Sequence, residues 1–326
     1  MIEARNYAEL RSIDSSYIGY TVAVAGRLVN GDGHGGMFAR SDTASPDNDG
    51  TVIVDAAGRA WHRVHDSVVD PAWFGLKMQA GYDNAPAINA ACAEAARAVI
   101  HMPVSGKVQL PEGVIEIHSP IDASGCDLAG GSSFDSLLWK TTAAGNGINI
   151  TPYRDGIYCG PSKVRDLAVM TGAQNNTAIS IYGDADYVPD NCVIRNVRIS
   201  RHGGSGQWTY GIYAAGAPRT NPDGIRKITC ENVEVFSNHD WAYVFSHCHG
   251  VEMLNCNSFG AQASTWNGKP RSLYAAGVQG REIYNLDIVS CKFDGHAKIQ
   301  RAVHYSIDGT TAIYGDLDIV HSTVKP

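Results

Sequence analysis

Four segments of this 326-residue chain gather the side chains that could do chemistry: RHGGSGQWTY (201–210), SNHDW (237–241), FGAQASTWNGKPRS (259–272) and FDGHAKIQR (293–301). They hold Trp208, Tyr210, Trp241 and Trp266 beside Asp240, Lys269, Arg271 and Asp294, with His202, His239 and His296 among them. Indoles next to charged groups are the usual surface for a sugar chain. The flat ring packs on the apolar face of a pyranose while the charges bond its hydroxyls. The competing reading is that the rings pack beneath their own loops or fill a subunit interface.

Cleavage of a glycan by hydrolysis needs two carboxylates, about 5–5.5 Å apart for retention and about 6.5–9.5 Å for inversion. Asp240 and Asp294 are the pair these segments offer, and His239 beside Asp240 could serve a lyase as base, with Lys269 and Arg271 neutralising charge. Hydrolase and lyase both stay open. Asp184, Asp186, Asp190 and Asp223 sit on other connections, and Glu231 and Glu234 are expected to face solvent.

Bulk properties narrow the classes. A net charge of −7 argues against a nucleic-acid partner. No apolar run reaches the ~18 residues of a membrane span, and MIEARNYAEL lacks the layout of a signal peptide, so synthesis in a cytoplasm is expected. Eight Cys residues show no CxxC pair, which points to buried thiols rather than a metal site or disulfides. No cofactor and no metal are expected. GDGHGG (31–36) lacks the G-x-x-x-x-G-K-[ST] pattern and a following helix, and reads as a loop between strands.

The elements that must position these residues form a repeat. Aligned on Asp166, Asn196, Asn232, Asn255, Ser290 and His321, the chain shows intervals of 30, 36, 23, 35 and 31 residues. Two positions earlier stand Val164, Ile194, Cys230, Met253, Ile288 and Ile319; three later stand Val169, Ile199, Val235, Ser258, Phe293 and Val324. Apolar residues alternate on both sides of the polar position, and the parity flips there, so the chain bends while its apolar side stays inward. Asn and Asp tolerate the left-handed backbone such a bend needs, and a column of Asn can hydrogen-bond from coil to coil. A third strand precedes each pair: GINI (147), AISI (178), GIYA (211), AYVF (242), SLYA (272) and AVHY (302). Three stacked strands per coil make an all-β parallel β-helix, a solenoid, from about Gly147 onward. The four decorated segments are expected to join each third strand to the next coil and so to line one edge. Asp240 and Asp294 would then stand two coils, or about 10 Å, apart.

Upstream, NAPAINAACAEAARAVI (84–100) is an Ala-rich amphipathic helix suited to covering the open end of the solenoid, and GKVQLPEGVIEI (106–117) is the opening coil. WFG (73–75), the helix and GxVxLPxGxxxI closely resemble the start of the pectate-lyase-like β-helix in bacteriophage tailspikes and capsule depolymerases. GYTVAVAGRLVNGDGHGGMFAR and DNDGTVIVDAAGRAWHRV (within 19–64) are similar to the small β segment preceding it. The chain departs from the family's WFGAKGDGxxDDT run, reading WFGLKMQAGYDNAPAI instead.

The resemblance implies a right-handed, single-stranded parallel β-helix. It divides the chain into residues 1–70, a β segment for tail attachment; 71–120, capping helix and opening coil; and 121–326, the β-helix. It implies a virion tail spike, a homotrimer made in the host cytoplasm, that engages capsule or O-antigen and contacts tail or adaptor proteins through residues 1–70. Depolymerase and non-catalytic adhesin are both compatible with it. A cellular pectate-lyase-like enzyme or epimerase fits the first seventy residues less well. The last coil, LDIVHSTVKP, carries no capping helix and is expected to be covered by a partner chain or a further module.

Overall fold

In a computed structural model, Val164, Leu167 and Val169 of the strand Lys163–Thr171 are fully buried, and Asp166 between them takes φ 57°. That is the predicted parity flip, and it recurs at Asn196 (53°), Asn232 (52°), Asn255 (52°) and Ser290 (54°). The structure describes residues 2–14, 16–99, 106–154, 156–183, 187–202, 206–216, 224–236, 240–259, 265–266, 269–276, 283–320 and 322–324.

Strand register turns the aligned positions into columns. Val164 pairs with Ile194, then Cys230, Met253 and Ile288; Val169 pairs with Ile199, then Val235, Ser258 and Phe293. All of these pairings are parallel. Segments before and after the corner belong to one long bent sheet of fifteen described strands. The third strands stack into a second sheet, eight described strands along its path and the hairpin strand Thr265–Trp266 beside it, through Ile148–Ile179–Ile212–Tyr243–Leu273. One hydrophobic core runs between the faces from Val69 to Tyr305. The described chain is thus a parallel β-helix with three faces per coil.

Two expectations need correction. The coil after Ser290 is much shorter than thirty residues: Ser290 Oγ meets Thr310 Oγ1, twenty residues on, at 2.9 Å. The columns therefore continue into Ile307 and Ile313, not Ile319 and Val324. AVHY belongs to Ala302–Ile307 in the first sheet, and His296–Gln300 takes the third-strand place, pairing with Lys269–Ala276. The physical reason is that this coil turns in a single residue on both sides of its third strand, at Gly295 and at Arg301 (φ 55°), whereas every earlier coil keeps a longer connection on at least one side. A fixed period overshoots once the connections vanish. His321 lies outside the described residues.

At the N-terminal end, the strand Val68–Val69 pairs with Lys107–Gln109, and the helix Ala85–Val99 buries Ile88, Ala91, Cys92 and Ala95 against this opening coil. Asn84, fully buried, fastens the helix start: its Oδ1 accepts from Lys77 N (2.7 Å) and its Nδ2 donates to Lys77 O and Glu116 O. The predicted cap is in place. All eight Cys residues are free and buried. Cys256 and Cys291 stack in one column, the amide of the first donating to the sulfur of the second at 3.4 Å, and burial pushes the Cys192 thiol up to about 12.

Residues 2–63 fold around a core of their own, with Tyr7, Leu10, Phe38 and Trp61 buried under a five-stranded sheet. The Gly-rich stretch is a loop between the strands Thr21–Val24 and Gly36–Ser41. Burial alone would raise the Asp32 pKa, but backbone N–H donors of Leu28, His34, Arg27 and Val29 outweigh it and bring it down to about 2. Arg63 stacks over Trp73 at 4.5 Å and ties this unit to the cap.

Candidate functional site: a corner groove and an aromatic edge

The decorated segments lie between the second face of each coil and the third strand, so they lead into that strand rather than out of it. What they present is only partly what their sequence predicts. Trp208 is a core residue, 1% exposed, its indole N–H donating to Ser200 O at 3.2 Å. It is the first residue of the strand Trp208–Ala215, and its ring belongs to the hydrophobic core between the faces. A sugar cannot reach it. The expectation of a surface indole is corrected there.

Four other predicted residues do come together, over three successive coils. Asp240 and Arg271 form an ion pair (Nη1–Oδ1 2.5 Å), the Arg271 guanidinium carbon lies 5.7 Å from the centre of the Trp241 ring, and Tyr210 reaches toward Asp240. Burial first, and then the Asp240 charge, raise the Tyr210 phenol pKa. Two residues that the sequence reading did not name, Tyr213 (5.2 Å from Tyr210) and Tyr274 (5.4 Å from Trp241), complete the group together with His296 (5.8 Å from Trp241), which it did place on these segments. The tyrosine and tryptophan rings are half-buried, His296 is buried beneath them and the carboxylate is engaged, so this edge is a packed cluster rather than an open platform.

Asp294 stands apart from it, exposed at the end of the strand Lys292–Asp294 on the neighbouring face, paired with Phe259. An ion-paired carboxylate and a solvated one on different faces are not a general-acid and general-base arrangement. The backbones of Trp266 and Lys269 form a short antiparallel hairpin. Their side chains, and His239, lie outside the described residues.

Among the described residues of the β-helix, an open, concave feature lies elsewhere, along the Asn corner. A groove of about 520 Å³ follows the stacked coils from the loop at Ser132–Phe134 past Asp166, Asn196 and Asn232 to Asn255. Its floor is an amide ladder: Asn196 Nδ2 donates to Asp166 Oδ1 (2.8 Å), and Asn232 Nδ2 donates to Asn196 Oδ1 (3.0 Å). Its wall is the outward column two residues past the corner, where Arg198, Glu234 and Asn257 are register partners in successive coils. Two residues further, Phe236 and Phe259 stack face to face, 4.6 Å apart and 10° from parallel. Phe134, 68% exposed, stands at the far end on a loop held by the Ser132 Oγ–Asp135 (2.6 Å) and Ser136 Oγ–Pro111 O (3.0 Å) bonds.

This site was within reach of the alignment on the Asn position. With positions +1 and +3 buried, +2 and +4 must face out. Read down the coils, those columns give Arg198, Glu234, Asn257 and then Phe236, Phe259. Phe134 has no such signal, because the loop that carries it interrupts the repeat.

Electrostatically the groove is mixed. Arg165 holds Asp166 at 2.7 Å and also forks onto Asp127, so the Asp166 charge is compensated within the floor. That leaves Arg198 and Glu234 as the charged side chains of the wall. Amides, one cation, one anion and flanking phenyl rings can bind a long polar ligand with apolar faces. Of the two lining acids, Asp166 is committed to Arg165 and Asn196, so the groove does not offer a free pair for hydrolysis. Among the described residues, no cluster of His, Cys, Asp or Glu has the grouping of a metal site.

Residues 3–66 match the phage tail protein small four-stranded β-sheet domain. Solved structures share the fold at low identity. The enzymatically active domain of bacteriophage CBA120 tailspike protein 2 superposes with TM-score 0.59 at 16% identity, over 98% of this chain and 51% of that one. The gp42 tailspike of Acinetobacter phage vb_AbaP_AS12 gives 0.57 at 11%, over 94% and 57%. Pantoea stewartii WceF, a glycan biofilm modifying enzyme with a tailspike-like parallel β-helix fold, gives 0.51 at 16%, over 99% and 48%. The chain spans about half the length of these structures. No match is found among curated proteins. The chain thus couples a β-sheet unit matching a phage tail domain to a right-handed parallel β-helix of the tailspike kind.

Proposed function

We propose that this protein is a phage tail component that recognises a bacterial surface polysaccharide, capsule or O-antigen, along the corner groove of its β-helix. The observation that carries the reading is the groove itself: four coils of Asn and Asp at a regular spacing, with exposed Phe134 in the lining and the Phe236–Phe259 stack beside it. Strands stack about 4.8 Å apart, so the floor repeats its hydrogen-bonding groups on the length scale of one sugar residue. Residues 1–70 attach the protein to the tail or an adaptor, and exposed Ile18, Tyr20, Val29 and Val64 supply apolar surface for that contact. A homotrimer on the virion is the assembly this reading carries.

Binding is favoured over cutting by the carboxylates: Asp240 is paired with Arg271 and Asp166 with Arg165. The test is to incubate the protein with capsule and lipopolysaccharide from candidate hosts, measuring retention, chain length and the ultraviolet absorbance of a new double bond. Retention without shortening is expected. Shortened chains make it a hydrolase, new absorbance makes it a lyase, and no retention on any strain to which the phage adsorbs overturns the reading.

A further inference from the structure

Arg198 differs from the ion-paired arginines of the β-helix. Arg165 holds Asp127 and Asp166, Arg154 holds Asp122, and Arg271 holds Asp240; Arg195 lies 3.8 Å from Glu231. Arg198 makes no ion pair among the described residues, although Glu234 is its register partner one coil on. Its guanidinium carbon lies instead between two rings, 5.3 Å from the centre of Phe134 and 4.7 Å from that of Phe236. Its Nε is buried without a hydrogen-bond partner. A cation held between phenyl rings is partly shielded from water, which strengthens its attraction for an anion arriving from the groove. The planar fork suits a carboxylate or phosphate, which it can grip with two parallel bonds.

We propose that the corner groove is built for an acidic polysaccharide, with the anionic group of one sugar residue seated on Arg198. The hydroxyls of the next residue bond Glu234 and the Asn196–Asn232 amides, and the apolar faces of the sugars lie on Phe236 and Phe259. This assignment rests on the polysaccharide reading above and adds the charge class of the ligand. Phe134 is a positioning residue: it holds the guanidinium against Phe236 from a loop belonging to a different coil.

The experiment uses the full chain on an array of bacterial capsular polysaccharides and lipopolysaccharides sorted into uronate-bearing, phosphate-bearing and neutral members. Binding is expected on acidic members, and the uronate and phosphate groups show which anion is used. Arg198→Gln should weaken it by roughly tenfold to a hundredfold, the range of one charge-assisted hydrogen bond, and Arg198→Lys should recover part of the loss. Chemical reduction of the carboxyls of a bound uronate polymer should weaken wild-type binding to the same degree, a measurement that needs no variant to fold. Binding confined to neutral members, or acidic binding indifferent to Arg198→Gln and to carboxyl reduction, overturns the charge assignment and leaves polysaccharide recognition standing. Silence across the whole array overturns the polysaccharide reading itself. A changed oligomer mass for Arg198→Gln in light scattering would make the groove a subunit contact and end the assignment.

Discussion

Replacing Asn196 tests the reasoning about the corner most directly. The residue sits at φ 53°, donates to Asp166 at 2.8 Å and accepts from Asn232 at 3.0 Å. Removing the side chain loses one hydrogen bond to a charged acceptor and one between amides, about 1–2.5 kcal/mol together because the ladder is partly exposed. Alanine additionally pays the left-handed backbone penalty, about 1 kcal/mol or more. Glycine escapes that penalty but loses about 0.5–1 kcal/mol through the greater freedom of the unfolded chain. Asn196→Ala is therefore expected to cost roughly 2–3.5 kcal/mol or more, with Asn196→Gly milder by about 0.5 kcal/mol, the excess of the left-handed penalty over the glycine cost. Asn196→Asp keeps the backbone tolerance but sets two carboxylates in adjacent coils, so its destabilisation should fade as pH drops below the ordinary carboxylate range. Urea unfolding followed by circular dichroism measures all three, with unfolding rates in guanidinium as the measure where refolding is incomplete. If alanine is tolerated as well as glycine, or costs under about 0.5 kcal/mol, the corner does not depend on Asn for either backbone or ladder, and the argument fails.

Other consequences are as open to measurement. Trp208→Ala should cost about 3–5 kcal/mol by leaving a core cavity while polysaccharide binding by the folded fraction stays unchanged; lost binding at unchanged stability would return Trp208 to the surface. Arg271→Met strands the partly buried Asp240 carboxylate and should cost on the order of 1–2 kcal/mol in denaturant unfolding, below the value for a fully buried pair. Asp240→Asn should likewise show in stability, with no new effect on polysaccharide chain length. Because the Asp32 pKa is depressed in the fold to about 2, its contribution is fully present above about pH 4 and is lost as pH falls from about 4 to about 2. Amide-exchange protection of residues 27–34 should fall in that window, and Asp32→Asn should flatten the dependence.

The repeat was legible because a β-helix writes its core into the chain at a period of two and its corner into a single residue type. Val164, Asn196 and Val233 declare inside, bend and inside without reference to anything distant. The capping helix was legible for the same reason, since its apolar stripe is a local signal, whereas the anchoring of Asn84 on Lys77 and Glu116 shows only in the fold. Tertiary structure alone decided how far the chain runs past the Ser290 corner. Connection length is not fixed by core alternation, and the contraction to twenty residues after Ser290 moved every later column by one face.

It also decided which rings are reachable. Trp208 and Trp241 read alike in the sequence, yet one begins a strand facing inward and the other packs beside Arg271 at the rim. The pairing of Asp240 with Arg271, and the isolation of Arg198 between Phe134 and Phe236, join residues from different coils. No local pattern encodes such distances: they follow from stacking register, which exists only once the coils have closed on one another.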